Sequence, residues 1–216
     1  MSSKSVIVRR ANIIHKARGL FWRRGYRETT MQDIARACSC EPGNIYNYFS
    51  CKEDILYRII SEDVGLLVSG MEPVEKQINI SPIEQMKLLI DNHLKIAVGN
   101  RRSAKFLFDN ELKSLRPHRR REIMKLRDRY DKIMQDVIYR GIKLGFFAEV
   151  DVPVIEYCIA GMIIRSRIWF SPRGRLTKDE IADIMLNFIL NGISKRPQEK
   201  DGNWSLLQCP HRESAK

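Results

Sequence analysis

Apolar residues return along this chain at intervals of three and four, segment after segment, which is the period of amphipathic helices. Residues 9–24 set Ile13, Ala17, Leu20 and Phe21 on one stripe, and Gly25 ends that helix. Thr30 then caps a short segment, MQDIARAC, with Asp33 placing a carboxylate beside the exposed first-turn N–H groups. Pro42 stands where a first-turn proline belongs and opens a third, short helix. From Lys52 a longer helix carries Ile55, Ile59 and Leu67, and Pro73 with the polar run to Ile80 closes it.

The rest of the chain repeats the pattern. Ser81-Pro82-Ile83-Glu84 is a capping box opening a helix through about Val98. Residues 102–115 form a shorter one. Pro117 precedes a long helix with Ile123, Leu126, Tyr130, Ile133, Val137, Gly141 and Leu144 in register. Asp151 and Pro153 start a helix through Trp169 that is apolar on most of its circumference, so burial on most faces is expected. Thr177 and Glu180 form a second capping box, before Ile181, Ile184, Met185, Phe188, Ile189 and Ile193. After Lys195 the composition turns polar, and residues 196–216 read as a disordered tail. The fold class is all-α, with about nine helices.

The third helix changes the picture. "SCEPGNIYNYFSCKED" sets Ile45, Tyr46, Tyr48 and Phe49 close together after a Pro-Gly pair. Two helices, a tight turn at Ser39-Cys40-Glu41 and a short third helix make a helix-turn-helix, whose last helix lies in the DNA major groove. Residues 1–52 hold ten Lys/Arg against three Asp/Glu, a net +7, where the whole chain carries +12. Such a concentration points to phosphates. Each tyrosine is either core packing or a DNA contact on this reading.

Composition excludes more than it selects. No apolar run reaches the roughly 18–20 residues of a membrane span. MSSKSVIVRR lacks the apolar stretch of a secretion signal, so the cytoplasm is the expected compartment, with no membrane partner. Five cysteines fit free thiols; Cys38, Cys40 and Cys51 cluster, but no histidine stands at zinc-ligand spacing beside them. They leave open a sensor of thiol oxidation. His15, His93, His118 and His211 are scattered, and no phosphate loop or nucleophile motif is present, so neither an enzyme nor a bound cofactor is expected. A non-specific basic DNA-binding protein is the other reading left open.

The segment TTMQDIARACSCEPGNIYNYFSCKEDIL resembles the DNA-binding domain of the TetR family of bacterial repressors. The Thr-Thr pair, the Asp-Ile-Ala triplet, the Gly-x-Ile-Tyr-x-Tyr-Phe helix and the following Lys-Glu carry the likeness, over about residues 9–60. It implies a DNA-binding domain over 1–52 and a ligand-binding and dimerisation domain over 53–195. It implies phosphate contacts from Thr30, Tyr48 and Lys52, base contacts from Pro42, Gly43, Asn44 and Tyr46, and either from Asn47. Ile45 and Phe49 would pack the small core. Two positions depart from the family's habit: Ser39 where glycine is usual in the turn, and Glu41 where serine often caps the third helix. A non-glycine residue in a left-handed turn is strained, and Glu caps poorly.

The resemblance also implies a homodimer on double-stranded operator DNA, paired through the last two helices and released by a small-molecule effector. "IWFSPRGRLTKDEIADIMLNFILNGI" and "RDRYDKIMQDVIYRGIKLGFF" resemble a branch tied to sterol, fatty-acid and aromatic-acid breakdown, whose ligands are commonly coenzyme A thioesters. Arg127, Phe106, Arg165 and Trp169 are the candidate ligand contacts. Arg165 and Trp169 share a helix face at i and i+4, and an arginine in an apolar helix needs a partner: an anionic ligand group or an intersubunit salt bridge. Residues 116–129 carry seven Lys/Arg, either a solvated face or cover for ligand phosphates. Another hydrophobic effector stays open.

Overall fold

The computed structural model describes residues 3–99 and 109–193. Nine helices, and no strand, occur among the described residues: α1 (Ser3–Arg24), α2 (Met31–Ala37), α3 (Pro42–Tyr46), α4 (Lys52–Glu75), α5 (Pro82–Gly99), α6 (Asp109–Leu112), α7 (Pro117–Lys143), α8 (Val152–Trp169) and α9 (Lys178–Ile193). The fold is all-α, as the periodicity predicts.

The helix starts follow the capping chemistry. Ser81 N donates to Glu84 Oε2 at 2.8 Å and Glu84 N to Ser81 Oγ at 3.2 Å, closing the capping box of α5. Thr177 and Glu180 repeat it ahead of α9, at 2.7 and 3.2 Å. Thr30 and Asp33 make the same reciprocal pair on α2, with Asp in place of Glu. The Asp151 carboxylate accepts from Val154 N at 3.1 Å.

Three helices differ from the periodic reading. Helix α1 begins already at Ser3. Helix α4 runs through Pro73 to Glu75, because an exposed proline in the last turn removes only one donor from the ladder. The expected helix over 102–115 lies mostly outside the described residues; α6 is its described part.

Two apolar clusters organise the chain. One joins Phe21, Ile34, Ile45 and Phe49 to Ile55, Ile59 and Val64 of α4, and also takes in Leu112, Leu115 and Ile123. The other joins Leu67 and Met71 of α4 to Leu89, Ile133, Ile163 and Ile189 from the later helices. Helix α4 therefore belongs to both. Arg18 of α1 pins it further, at 2.5 Å from the buried Asp63 carboxylate. Helix α5 runs through the second cluster, touching α4, α7, α8 and α9. The α7–α8 corner depends on a missing side chain: a Cβ on Gly141 would lie 2.0 Å from the Phe147 ring.

Helix α8 corrects the expectation of burial on most faces. Glu156, Ile159, Ile163 and Ser166 are buried, but Val154, Tyr157, Ile168 and Trp169 face water. An apolar circumference reports that cover is needed; it does not report whether one chain supplies all of it.

Candidate DNA-reading surface and effector cavity

The turn into α3 is built as its residues require. Ser39 takes the left-handed conformation at φ +53°, where glycine is the unstrained choice. Its geometry lets Cys40 N donate back to Ala35 O at 3.1 Å, so the end of α2 is satisfied. Glu41 occupies the N-cap of α3 with extended backbone and makes no side-chain capping bond. Both departures seen in the sequence are thus present as geometry.

Helix α3 and the three residues after it then divide by face. Ile45 and Phe49 are buried in the first cluster. Gly43, Asn44, Tyr46 and Asn47 are exposed, and Pro42 and Tyr48 are half-buried. Tyr46 holds 53% of its surface in water. Tyr48 rests on the core, with one edge outward. Arg9, Arg10, Arg23, Arg27 and Arg36 are exposed on the same small unit. Thr30 is exposed, but its hydroxyl is held by the Asp33 carboxylate and amide.

Lys52 has a role the sequence did not indicate. Its ammonium donates to the carbonyl oxygens of Tyr26, Arg27 and Thr29 at 2.8, 3.2 and 2.7 Å. It also lies 4.4 Å from the Tyr26 ring centroid. All three donors of the ammonium can be satisfied there, leaving none directed at a phosphate in this structure. Burial lowers its pKa. The residue closes the α1–α2 turn onto the start of α4.

A second candidate site lies in the helical body. A cavity of about 450 Å3 opens between α4 (Val64, Leu67), α5 (His93), α7 (Met124, Arg127, Asp128, Tyr130, Asp131) and α8 (Glu156, Tyr157, Ala160, Gly161, Ile164). That size suits a small organic group. Its rim is exposed at Met124, Asp128, Tyr157 and Gly161; its depth is buried at His93, Tyr130 and Glu156. The Tyr130 hydroxyl and His93 Nδ1 share a hydrogen bond of 2.9 Å. Burial, then the charges of Glu156 and Asp131, push the Tyr130 hydroxyl well up. Burial, then Asp131, push the Glu156 carboxyl up to about 7. Among the described residues neither Glu156 oxygen has a hydrogen-bond partner.

Of the three ligand residues expected from sequence that lie among the described residues, only Arg127 lines this cavity. Phe106 lies outside the described residues. Arg165 and Trp169 stand elsewhere: both are exposed, on the α8 stripe that also carries Val154, Tyr157 and Ile168. Trp169 lines an apolar groove with Leu176, Ile184 and Phe188. Sequence reasoning missed His93, Tyr130 and Glu156. The missed signal is the one applied to Arg165, a charge inside an apolar run; "VPVIEYCIAGM" carries it at Glu156. Helical spacing puts Glu156 in register with the buried Ile159 and Ile163, and Arg165 out of it.

The start of α7 is tied to the first turns of α4. Arg116 pairs with Glu53 at 2.9 Å, Arg119 with Asp54, and Tyr57 donates to Glu122 at 2.5 Å. Arg129 grips Glu75 at 2.5 Å further along α4.

Comparison with known proteins agrees with this architecture. Residues 13–59 match the family of bacterial regulatory proteins of the tetR type, and residues 79–193 match the tetracyclin repressor-like C-terminal domain. The chain belongs to the TetR family of transcriptional repressors. It is similar to the transcriptional regulator HbdR of Aromatoleum, with 31% identity over 163 residues, covering 74% of this chain and 68% of that one. The ketosteroid transcriptional regulator KstR2 of Mycobacterium tuberculosis superposes with a TM-score of 0.77 at 25% identity, covering 87% of this chain and 96% of its own. AibR, solved with isovaleryl coenzyme A and operator DNA, superposes at 0.74 with 25% identity, covering 83% and 97%. Among the described residues no helix is long and apolar enough to cross a membrane.

Proposed function

We propose that this protein represses transcription as a homodimer, reading an operator with α3 and leaving it when a coenzyme A thioester enters the α4–α5–α7–α8 cavity. Residues 1–52 serve as the reading unit and 53–195 as the receiving and pairing unit. The observation that carries the reading is the sharing of α4. Val64 and Leu67 line the cavity, and Ile55 to Val64 pack the core beneath α3. A ligand that moves α4 moves the reading helix with it. Release then works by population shift, the ligand favouring reading heads spaced wrongly for two half-sites.

On the reading surface Asn44 and Tyr46 face base edges, and Tyr48 and Asn47 meet the backbone. Gly43 admits close approach, and Thr30 presents the α2 N-terminus to a phosphate. The exposed arginines supply the salt-dependent part of the affinity.

The acyl group would fill the cavity, and the nucleotide would stay outside. Helix α7 supports that division. Met124, Arg127, Asp128 and Asp131 share a stripe at the cavity, and Arg120 and Arg121 continue it one turn further, both exposed. Cations beyond the rim suit phosphates. AibR, bound to isovaleryl coenzyme A and DNA, supports the class of effector. The apolar stripes of α8 and α9 would pair with a second copy, and Arg165 would meet an acid across that interface rather than a ligand.

Fluorescence anisotropy on selected operator DNA, titrated with a panel of acyl-CoAs, tests the reading. Release by some members and loss of release in Arg120→Ala with Arg121→Ala is the expected result. Silence across the panel, with another hydrophobic compound displacing DNA, overturns the thioester. Release by oxidant, lost in Cys38→Ser with Cys40→Ser and Cys51→Ser, would substitute a thiol sensor; burial raises the Cys38 thiol, which disfavours that outcome. A footprint without a preferred site would favour the non-specific binder.

A further inference from the structure

The closed end of the cavity is polar, and its polarity is not matched from within. Glu156 sits on the buried face of α8, fully covered, with both oxygens unpartnered among the described residues. Across the cavity Tyr130 and His93 hold each other at 2.9 Å, so the pair presents a fixed polar edge. The apolar wall comes from Leu67, Ala160 and Ile164. Both carboxyl oxygens are covered even with the cavity empty; an alkyl chain leaves them without a bond, whereas a hydroxyl that reaches them through a small side-chain shift supplies one. A site built to bond an oxygen rejects the analogue lacking it more strongly than an apolar pocket rejects a shape.

We infer that Glu156 selects an oxygenated effector: an acyl group bearing a hydroxyl at the end that reaches the closed part of the cavity, in preference to its unsubstituted counterpart. A hydroxyl suits this position in either protonation state, donating to the carboxylate or accepting from the acid. Burial pushes the carboxyl up to about 7, which favours the acid form more than in water. Asp128 and Asp131 make the remaining lining acidic against the one Arg127, which disfavours a second negative charge at depth. The inference rests on the proposed effector cavity, but not on the coenzyme A half of that reading.

The test separates the two. Calorimetric titrations compare acyl groups of equal length with and without a terminal or subterminal hydroxyl, each offered as a CoA thioester and as a methyl ester. The wild-type protein is expected to bind the hydroxylated member of a pair at least tenfold tighter. Glu156→Met is expected to abolish or invert that preference while melting at a higher temperature without ligand; Glu156→Gln is expected to keep most of it. A preference seen only among methyl esters sinks the thioester and keeps the role of Glu156. Equal affinities within pairs, a preference that survives Glu156→Met, or binding by neither panel overturns the inference.

Discussion

Two surfaces of this protein leave large side chains in water, and they do so differently. On α3, Tyr46 is exposed among Gly43, Asn44 and Asn47, with arginines nearby. On α8 and α9, Val154, Tyr157, Ile168, Trp169, Ile184 and Phe188 are exposed, and Phe188 reaches 69%. The first surface mixes a ring with amides and charge, and it can stay wet. The second is a run of hydrocarbon with few charges among it, the kind of patch that marks an interaction surface. Isolated polar-flanked aromatics fit a hydrated anionic partner, whereas contiguous apolar stripes fit a copy of themselves.

The sharpest way to break that contrast is to charge the apolar surface. Ile184→Asp with Phe188→Asp is expected to give a monomer by light scattering. Operator affinity should fall by about 100-fold or more, since two half-sites are then bound singly. An unchanged dimer would remove the meaning assigned to the stripe.

The body should also answer to pH in a way the reading unit does not. The Glu156 carboxyl is raised from its ordinary 4.5 to about 7 in the fold. Between those values the unfolded chain has lost a proton the native chain keeps. Stability therefore falls as pH rises through that window and is flat above it. Relative to the wild type, Glu156→Gln should gain on the order of 3 kcal/mol across the same window by denaturant unfolding. A difference that stays constant with pH would refute the environment described for Glu156.

In the reading unit, Lys52→Met should cost about 1–3 kcal/mol of stability, because it orphans carbonyls at the α1–α2 turn. The slope of DNA affinity against salt should stay unchanged if Lys52 touches no phosphate. A slope reduced by about one charge would support the phosphate contact that the family resemblance implies. Smallest is Ser39→Gly, which relieves the left-handed residue and should stabilise by about 0.5–1 kcal/mol with DNA affinity unmoved.

The helices were legible because their signals are local. Thr30, Ser81 and Thr177 announce their caps within one turn, and the apolar period needs no knowledge of neighbours. The division of residues 44–49 into Ile45 and Phe49 inward and Asn44, Tyr46 and Asn47 outward was also legible, through a specific motif. The cavity between α4, α5, α7 and α8 was not. His93, Tyr130 and Glu156 come from α5, α7 and α8, and nothing in the spacing within any one helix says that their buried faces meet. Arg165 drew notice as a charge in an apolar run, whereas Glu156 in the same run did not; helical phase puts Glu156 inside and Arg165 outside.

By itself, then, the chain's order of residues determined the succession of helices among the described residues, the caps at Thr30, Ser81, Asp151 and Thr177, a non-glycine turn at Ser39, a concentration of charge and a helix-turn-helix, since each depends on contacts a few residues long. Tertiary structure alone decided that Lys52 closes a turn, that α4 serves two cores, that an unpartnered carboxyl faces a cavity, and that α8 leaves one stripe uncovered. These depend on which faces of distant helices meet, and packing settles that only once the whole chain has folded.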